Sequence, residues 1–292
     1  MQNSSLSPSE LILNSDGSIY HLNLLPEQIA HTIITVGDPD RVDHVSSHFD
    51  SVEHTVFKRE FKTHTGYYRG KKISVISTGI GTDNIDIVFN ELDALVNIDF
   101  QNRKIKDTHT QLTFVRIGTS GAIQTHIPID SFLISEKAIG FDNLLHFYEN
   151  TNFLDQEFSE AFMKHTSWSK KKSAPYVVQA DSVLLKKFSS KKWFLGVTAT
   201  NVGFYGPQGR RLRLATDDSE LNARINSFKF GNEQITNFEM ETSGMYGLSK
   251  LLGHRAISLN AILANRANGT FSSQPEQTID ELIKHTLDII AT

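Results

Sequence analysis

Short β-branched runs alternate with helical periods along almost all of this 292-residue chain, and this constrains the fold more than any other feature. Residues 31–36, 65–69, 72–77, 113–117, 131–136, 176–180, 193–200 and 255–264 read as strands, several of them apolar enough to be covered on both faces. Residues 85–96, 156–165, 181–188 and 242–252 read as helices between them. The last helix has a packing face at Ile279, Leu282, Ile283, Leu287 and Ile290. Such alternation implies a layered α/β domain. Residues 1–10 read as a flexible lead-in and 11–292 as one domain, because no repeat, low-complexity tract or linker divides them.

Charge and cysteine content narrow the function. With 29 Lys+Arg against 33 Asp+Glu, the net charge of -4 gives no general attraction to nucleic acid or anionic membrane. The chain has no cysteine, which excludes disulfides, thiolate catalysis and Cys-ligated zinc. The polar, Ser-rich start and the lack of any run near the roughly 20 apolar residues of a spanning helix predict a cytoplasmic protein.

The chemistry gathers where strands end. The run 113–117 places Arg116 just before Gly118, Thr119, Ser120 and Gly121, expected as a turn rich in N–H and O–H donors. Arg116 suits a phosphate or carboxylate there, or else pairs with a surface acid. After the first strand, GDPDRV at 37–42 predicts a helix opening at Asp38 or Pro39, with Arg41 in a first turn that is mildly unfavourable for a cation. Its next turns carry His44 and His48, an i, i+4 pair with no third metal ligand at suitable spacing. Residues 52–61 read as one alternating segment with Arg59 and Glu60 on opposite faces. The G-x-G-x-x-N of residues 79–84 lacks the third glycine of a dinucleotide loop and reads as a tight turn. The polar stretch 99–111 is an exposed loop. In 203–213, Phe204 can stack a planar ring while Gln208 and Arg210 bond its edge. Glu239 and Glu241 share a face if their run is extended, and suit a diol, a cation or acid–base work.

Taken together, HLNL at 21–24, GDPDRV at 37–42, KREF at 58–61, STGIG at 77–81, RIGTSGA at 116–122, FYGPQGR at 204–210 and NFEME at 237–241 resemble the uridine phosphorylases. These belong to the nucleoside phosphorylase family of the hexameric bacterial type. The matches span residues 21 to 266 in the family's order. The resemblance implies a single-domain α/β/α sandwich around a mixed, partly closed sheet, with active sites shared between subunits of a dimer or trimer of dimers. It implies phosphorolysis of uridine to uracil and ribose 1-phosphate, with no metal or cofactor.

The resemblance also implies residue roles. Gly37, Arg41, Arg116 and Thr119 would hold phosphate, with Arg59 reaching it from the neighbouring subunit. His21, also from the neighbour, would meet the sugar 5′-hydroxyl, and Glu239, Met240 and Glu241 would hold the ribose. Phe204 would pack on the base, Gln208 and Arg210 would read its edge, and Ser120 and Gly121 would lie beside it. Arg116, Gln208, Arg210 and Glu241 are then the catalytic set. Some relatives hold a monovalent cation with ligands like Glu60, the Ile80 carbonyl and a serine. Asn84 stands at the serine's place, so no cation is assigned. Purine-specific relatives typically carry an aspartate after the last strand, where this chain reads Asn265-Arg266. A purine phosphorylase and a non-catalytic nucleoside-binding protein are the alternatives.

Overall fold

The computed structural model describes residues 5–292. Its strands are β1 (Thr32–Val36), β2 (Ser51–Lys58), β3 (Phe61–Tyr68), β4 (Lys71–Ser77), β5 (Ile98–Asp99), β6 (Lys104–Ile105), β7 (Thr113–Ala122), β8 (Phe132–Gly140), β9 (Tyr176–Gln179), β10 (Phe194–Thr200), β11 (Lys229–Phe230), β12 (Glu233–Glu239), β13 (Arg255–Asn265) and β14 (Thr270–Phe271). The α-helices are α1 (Pro39–Ser46), α2 (Thr82–Asn97), α3 (Gln156–Thr166), α4 (Ser182–Phe188), α5 (Leu221–Ser227), α6 (Thr242–Leu251) and α7 (Pro275–Ala291).

The main sheet runs β11-β12-β10-β8-β13-β7-β1-β4-β3-β2, with β9 on β8 and β14 on β13. Strand β7 lies parallel to both β1 and β13, whereas β8 is antiparallel to β13. The far end of β7 also pairs antiparallel with β12, Gly121 opposite Phe238 and Ala122 opposite Asn237. That extra pairing closes β12, β10, β8, β13 and β7 into a ring, so the sheet is mixed and partly closed. It also brings the C-terminal end of β12 to the C-terminal end of β7.

Helices cover the sheet with the stripes their sequences carry. Helix α2 buries Ile85, Val88, Phe89, Leu92 and Leu95, and α7 buries Leu282, Ile283, Leu287 and Ile290. Helix α1 opens as its sequence predicts, with Pro39 in the first turn and the Asp38 carboxylate accepting from Asp40 N at 3.0 Å. Helix α6 packs so closely that a Cβ on Gly247 would lie 2.2 Å from a Leu145 methyl. Among the described residues, no helix is long and apolar enough to cross a membrane.

Four local expectations are corrected. Gly118 to Gly121 form no turn; β7 continues through them to Ala122, drawn out by partners on both sides. Residues 52–61 are not one strand. Arg59 takes φ 57° in a tight turn between β2 and β3, so the polar alternation belongs to two hairpin arms. The stretch around His21 turns at 20–22 instead of staying extended. Residues 99–111 contain the small β5–β6 hairpin. Arg103 in its turn donates to the carbonyls of Leu6, Ser7 and Leu11, so this segment ties down the described part of the N-terminal lead-in. Residues 1–4 of that lead-in lie outside the described residues.

Candidate active site

Strand β7 carries Arg116 into the junction with β12, where the residue is only 6% exposed. A Cβ on Gly118 would fall 1.8 Å from Arg116 Nη1, so the bare glycine lets the guanidinium lie flat along its own strand. Glu239 ends β12 and Glu241 immediately precedes α6. Arg116 Nη2 meets Glu241 Oε2 at 2.5 Å and Glu239 Oε2 at 3.5 Å. The other oxygen of Glu241 accepts from Gly81 N at 2.9 Å. Gly81 needs φ 101° to present that N–H, which explains the tight glycine turn after β4.

The two glutamates differ in what remains open. Glu239 Oε2 accepts from Glu241 N, Thr242 N and Thr242 Oγ1 at 2.7–2.9 Å, and its Oε1 accepts from Thr200 Oγ1 at 2.6 Å. Its oxygens are therefore occupied by protein donors. The sequence expects Glu239 on the sugar; in the structure it fixes the backbone that aims Glu241. Burial, then the neighbouring Glu239 charge, push the Glu241 carboxyl above the ordinary range, while Arg116 and Gly81 oppose them. Burial also works against the charge on Arg116, but the two glutamates outweigh it and keep the guanidinium protonated.

Arg41 reaches the same place from the first turn of α1, with Nη1 at 3.4 Å from the Ile117 carbonyl. It has no ion-pair partner among the described residues. Burial first, and then the charge of Arg116, disfavour its protonated form. Two close guanidiniums, one of them unpaired, make a spot whose electrostatic strain an anion relieves. Gly37, Arg41, Arg116, Thr119, Glu239, Met240 and Glu241 all line one cavity of about 780 Å³.

The same cavity extends to Ser120, Gly121, Phe204, Gln208 and Arg210. The Arg210 guanidinium lies 3.7 Å from the Phe204 ring centre and donates to the Phe204 carbonyl at 2.7 Å and to Gln208 Oε1 at 2.5 Å. With its oxygen so occupied, the buried Gln208 amide has its NH₂ left to donate. Ser120 Oγ accepts from Asn237 Nδ2 at 3.0 Å.

Two expected residues stand outside the cavity, and they stand together. His21 Nδ1 lies 2.6 Å from Glu91 Oε1, and the same carboxylate receives the backbone N–H groups of His21 and Leu22. Arg59 lies 5.7 Å from the Tyr20 ring, which packs edge-on against His21 at 4.7 Å. His21, Tyr20 and Arg59 thus form one group, next to the rim residue Glu60. Ile80 and Asn84 share that rim, with the Asn84 amide packed over Gly79.

The sequence did not single out Phe238, Leu263 or Phe271, which complete the lining. Phe238 lies inside the NFEME run, so its place next to Glu239 was a usable signal. Phe271 comes from the two-residue strand β14, and nothing local marks it. Arg266, behind Phe238 at 5.4 Å from its ring centre, keeps a buried Nη1 without a protein partner. A second cavity of about 730 Å³, lined by Gly81, Trp168, Lys171 and Asp217, contains none of the residues expected to touch phosphate, ribose or base.

The model of the phosphorylase superfamily matches residues 31–292. The chain belongs to the phosphorylase superfamily. Within this superfamily it is 30% identical to the uridine phosphorylase of Thermococcus kodakarensis, over 94% of this chain and 88% of the relative. It is 27% identical to that of Haemophilus influenzae, over 94% and 96%. The solved structure of a Trypanosoma brucei nucleoside phosphorylase that shows uridine phosphorylase activity superposes with a TM-score of 0.87 at 29% identity, covering 96% of this chain and 98% of that one. The mixed, partly closed α/β sheet is therefore the superfamily's fold, and the cavity at the β7–β12 junction sits within the matched region.

Proposed function

We propose that this phosphorylase-superfamily enzyme cleaves uridine with inorganic phosphate, giving uracil and ribose 1-phosphate. The observation that carries the reading is one cavity joining, in order, two clustered arginines, a buried glutamate and a Gln–Arg pair against an aromatic ring. Phosphate binds between Arg41 and Arg116, with Thr119 and the Gly37 backbone completing its donors. Glu241, aimed by Glu239 and held by Gly81 N–H, accepts from the ribose hydroxyls beside Met240. Phe204 covers the base, while the Gln208 amide and Arg210 donate to its carbonyl oxygens, with Ser120 and Gly121 alongside.

The bond to the base breaks as positive charge grows on the sugar and negative charge on the departing uracil. The arginines hold phosphate in line with the sugar carbon, so encounter and orientation are settled before reaction. Gln208 and Arg210 meet the charge that develops on the base. These protein groups and phosphate suffice for the chemistry, and we assign it no cofactor. Glu60 and Asn84 are given no cation. The purine alternative is disfavoured by Asn265. Its amide donates to the Gln124 and Ile127 carbonyls at 2.9 and 2.7 Å, and its oxygen accepts from Ala267 N at 2.9 Å. It is neither an acid nor free to face a base.

The enzyme acts as a homo-oligomer in the cytoplasm, with His21 and Arg59 completing a neighbour's site. Support comes from their grouping outside their own cavity, with no carboxylate on Arg59 among the described residues. The assay is direct: incubate the protein with uridine, with and without phosphate, and separate the bases. Uracil that appears only with phosphate meets the proposal; none in either condition leaves the purine enzyme or the non-catalytic binder.

A further inference from the structure

Helix α1 carries His44 and His48 one turn apart, with ring centres 6.0 Å apart. The spacing alone showed a pair without a third ligand. The fold supplies one from the far end of the chain. Both Nε2 atoms lie 3.0 Å from the same carboxylate oxygen, Oδ1 of Asp280 on α7. We propose that His44, His48 and Asp280 form a site for a divalent transition ion of the Zn²⁺ type, which ties α1 to α7.

The geometry needs little change to accept the ion. Ligands held about 2.0–2.1 Å from tetrahedral zinc lie roughly 3.3 Å from one another. The two measured His–Asp separations are 3.0 Å, and all three ligand atoms fall within 4.8 Å of one another. Side-chain exposures of 37%, 22% and 27% leave an entry path and room for water as the fourth ligand. The two imidazoles favour zinc, copper or nickel over magnesium or calcium, which prefer oxygen donors.

Tautomers strengthen the assignment. Neither histidine ring has a protein hydrogen bond at Nδ1 among the described residues. The proton can move to Nδ1, facing water, and leave the Nε2 lone pair for the ion. The second oxygen of Asp280 is held by Lys284 Nζ at 2.6 Å, which fixes the carboxylate and leaves Oδ1 as a single ligand atom. Asp93, His109 and His254 make a second cluster of suitable residue types, and it fails this criterion. There His254 Nδ1 accepts from Leu112 N at 3.1 Å, so the proton sits on Nε2, which lies 3.1 Å from Asp93 Oδ1 without hydrogen-bond geometry. No lone pair remains for a metal on that ring.

The site lies apart from the cavity lining, although α1 also carries Arg41. Its occupation therefore stabilises the fold and takes no part in the reaction. The test uses the full chain freed of metal with a chelator, titrated with Zn²⁺ against a chromophoric competitor. One zinc per chain is expected, with a rise in Tm, since an excess of about 100 times Kd shifts folding by about 100-fold. His48→Gln and Asp280→Asn, each verified as folded by circular dichroism, should weaken binding on the order of tenfold or more. His109→Gln should bind as the parent does. Absence of zinc binding by the parent, or equal binding by His48→Gln and Asp280→Asn, overturns the proposal.

Discussion

At the end of the cavity proposed to hold phosphate, Arg116 and Glu241 are 6% and 5% exposed, and their partners come from β7, β12 and the turn before α2. At the end proposed for the base, Phe204 is 50% exposed, and the Arg210 side chain bonds to Phe204 and Gln208 of its own loop. One end is built into the closing seam of the sheet, whereas at the other Phe204, Gln208 and Arg210 share one loop, backed by Phe238, Leu263 and Phe271 and tied to α5 through Asn222. The contrast suits the chemistry. Phosphate and ribose must be held rigidly in line, whereas the base must enter and leave. Substitutions at the phosphate end should therefore cost most, and those at the base end should cost less and act on uridine alone.

The largest effect is expected from Arg116→Ala. It removes a phosphate donor and strands Glu241, so kcat/KM should fall on the order of 10²–10³. Near-normal turnover at saturating phosphate would break the assignment. Gly118→Ala should come next, although it removes no functional group. The new Cβ, 1.8 Å from Arg116 Nη1, must displace the guanidinium, and a shift of about 1 Å can cost on the order of 10²-fold. Steady-state kinetics on a variant shown to be folded measures it. An unchanged rate would mean that Arg116 need not lie against its strand.

Much of the phosphate end was legible because its signals are local. Glycines at 37, 79, 81 and 118, an arginine at a strand end and an arginine in a first helical turn are each unusual within a few residues of sequence. The fold class followed from strand–helix alternation for the same reason. What local pattern did not carry was pairing over distance. The β7–β12 contact that keeps 118–121 extended, the four donors on Glu239, and Asp280 meeting His44 all join segments far apart in the chain. Arg59 was misread because a positive φ at a non-glycine residue leaves no compositional mark.

The group of His21, Tyr20 and Arg59, proposed to serve a neighbour's phosphate end, adds a third region to the comparison. Mixing Arg59→Ala with Arg116→Ala subunits under exchange conditions should restore activity. In each mixed dimer one site carries both defects and the other neither, so about a quarter of wild-type activity returns at random pairing. Demonstrated exchange without recovery would return Arg59 to its own subunit. A smaller effect belongs to the base end. Gln208→Ala removes about one hydrogen bond to the base, so kcat/KM for uridine should fall on the order of tenfold while KM for phosphate stays near normal. Equal changes in both constants would erase the distinction between the two ends.

The central claim is that this cavity is built for a pyrimidine, and the ratio of kcat/KM for uridine to that for inosine at saturating phosphate tests it most directly. Two base-edge hydrogen bonds, each worth about a factor of ten, predict uridine favoured by about 10². Inosine cleaved as fast as uridine, or faster, would contradict the account and make this chain a purine enzyme.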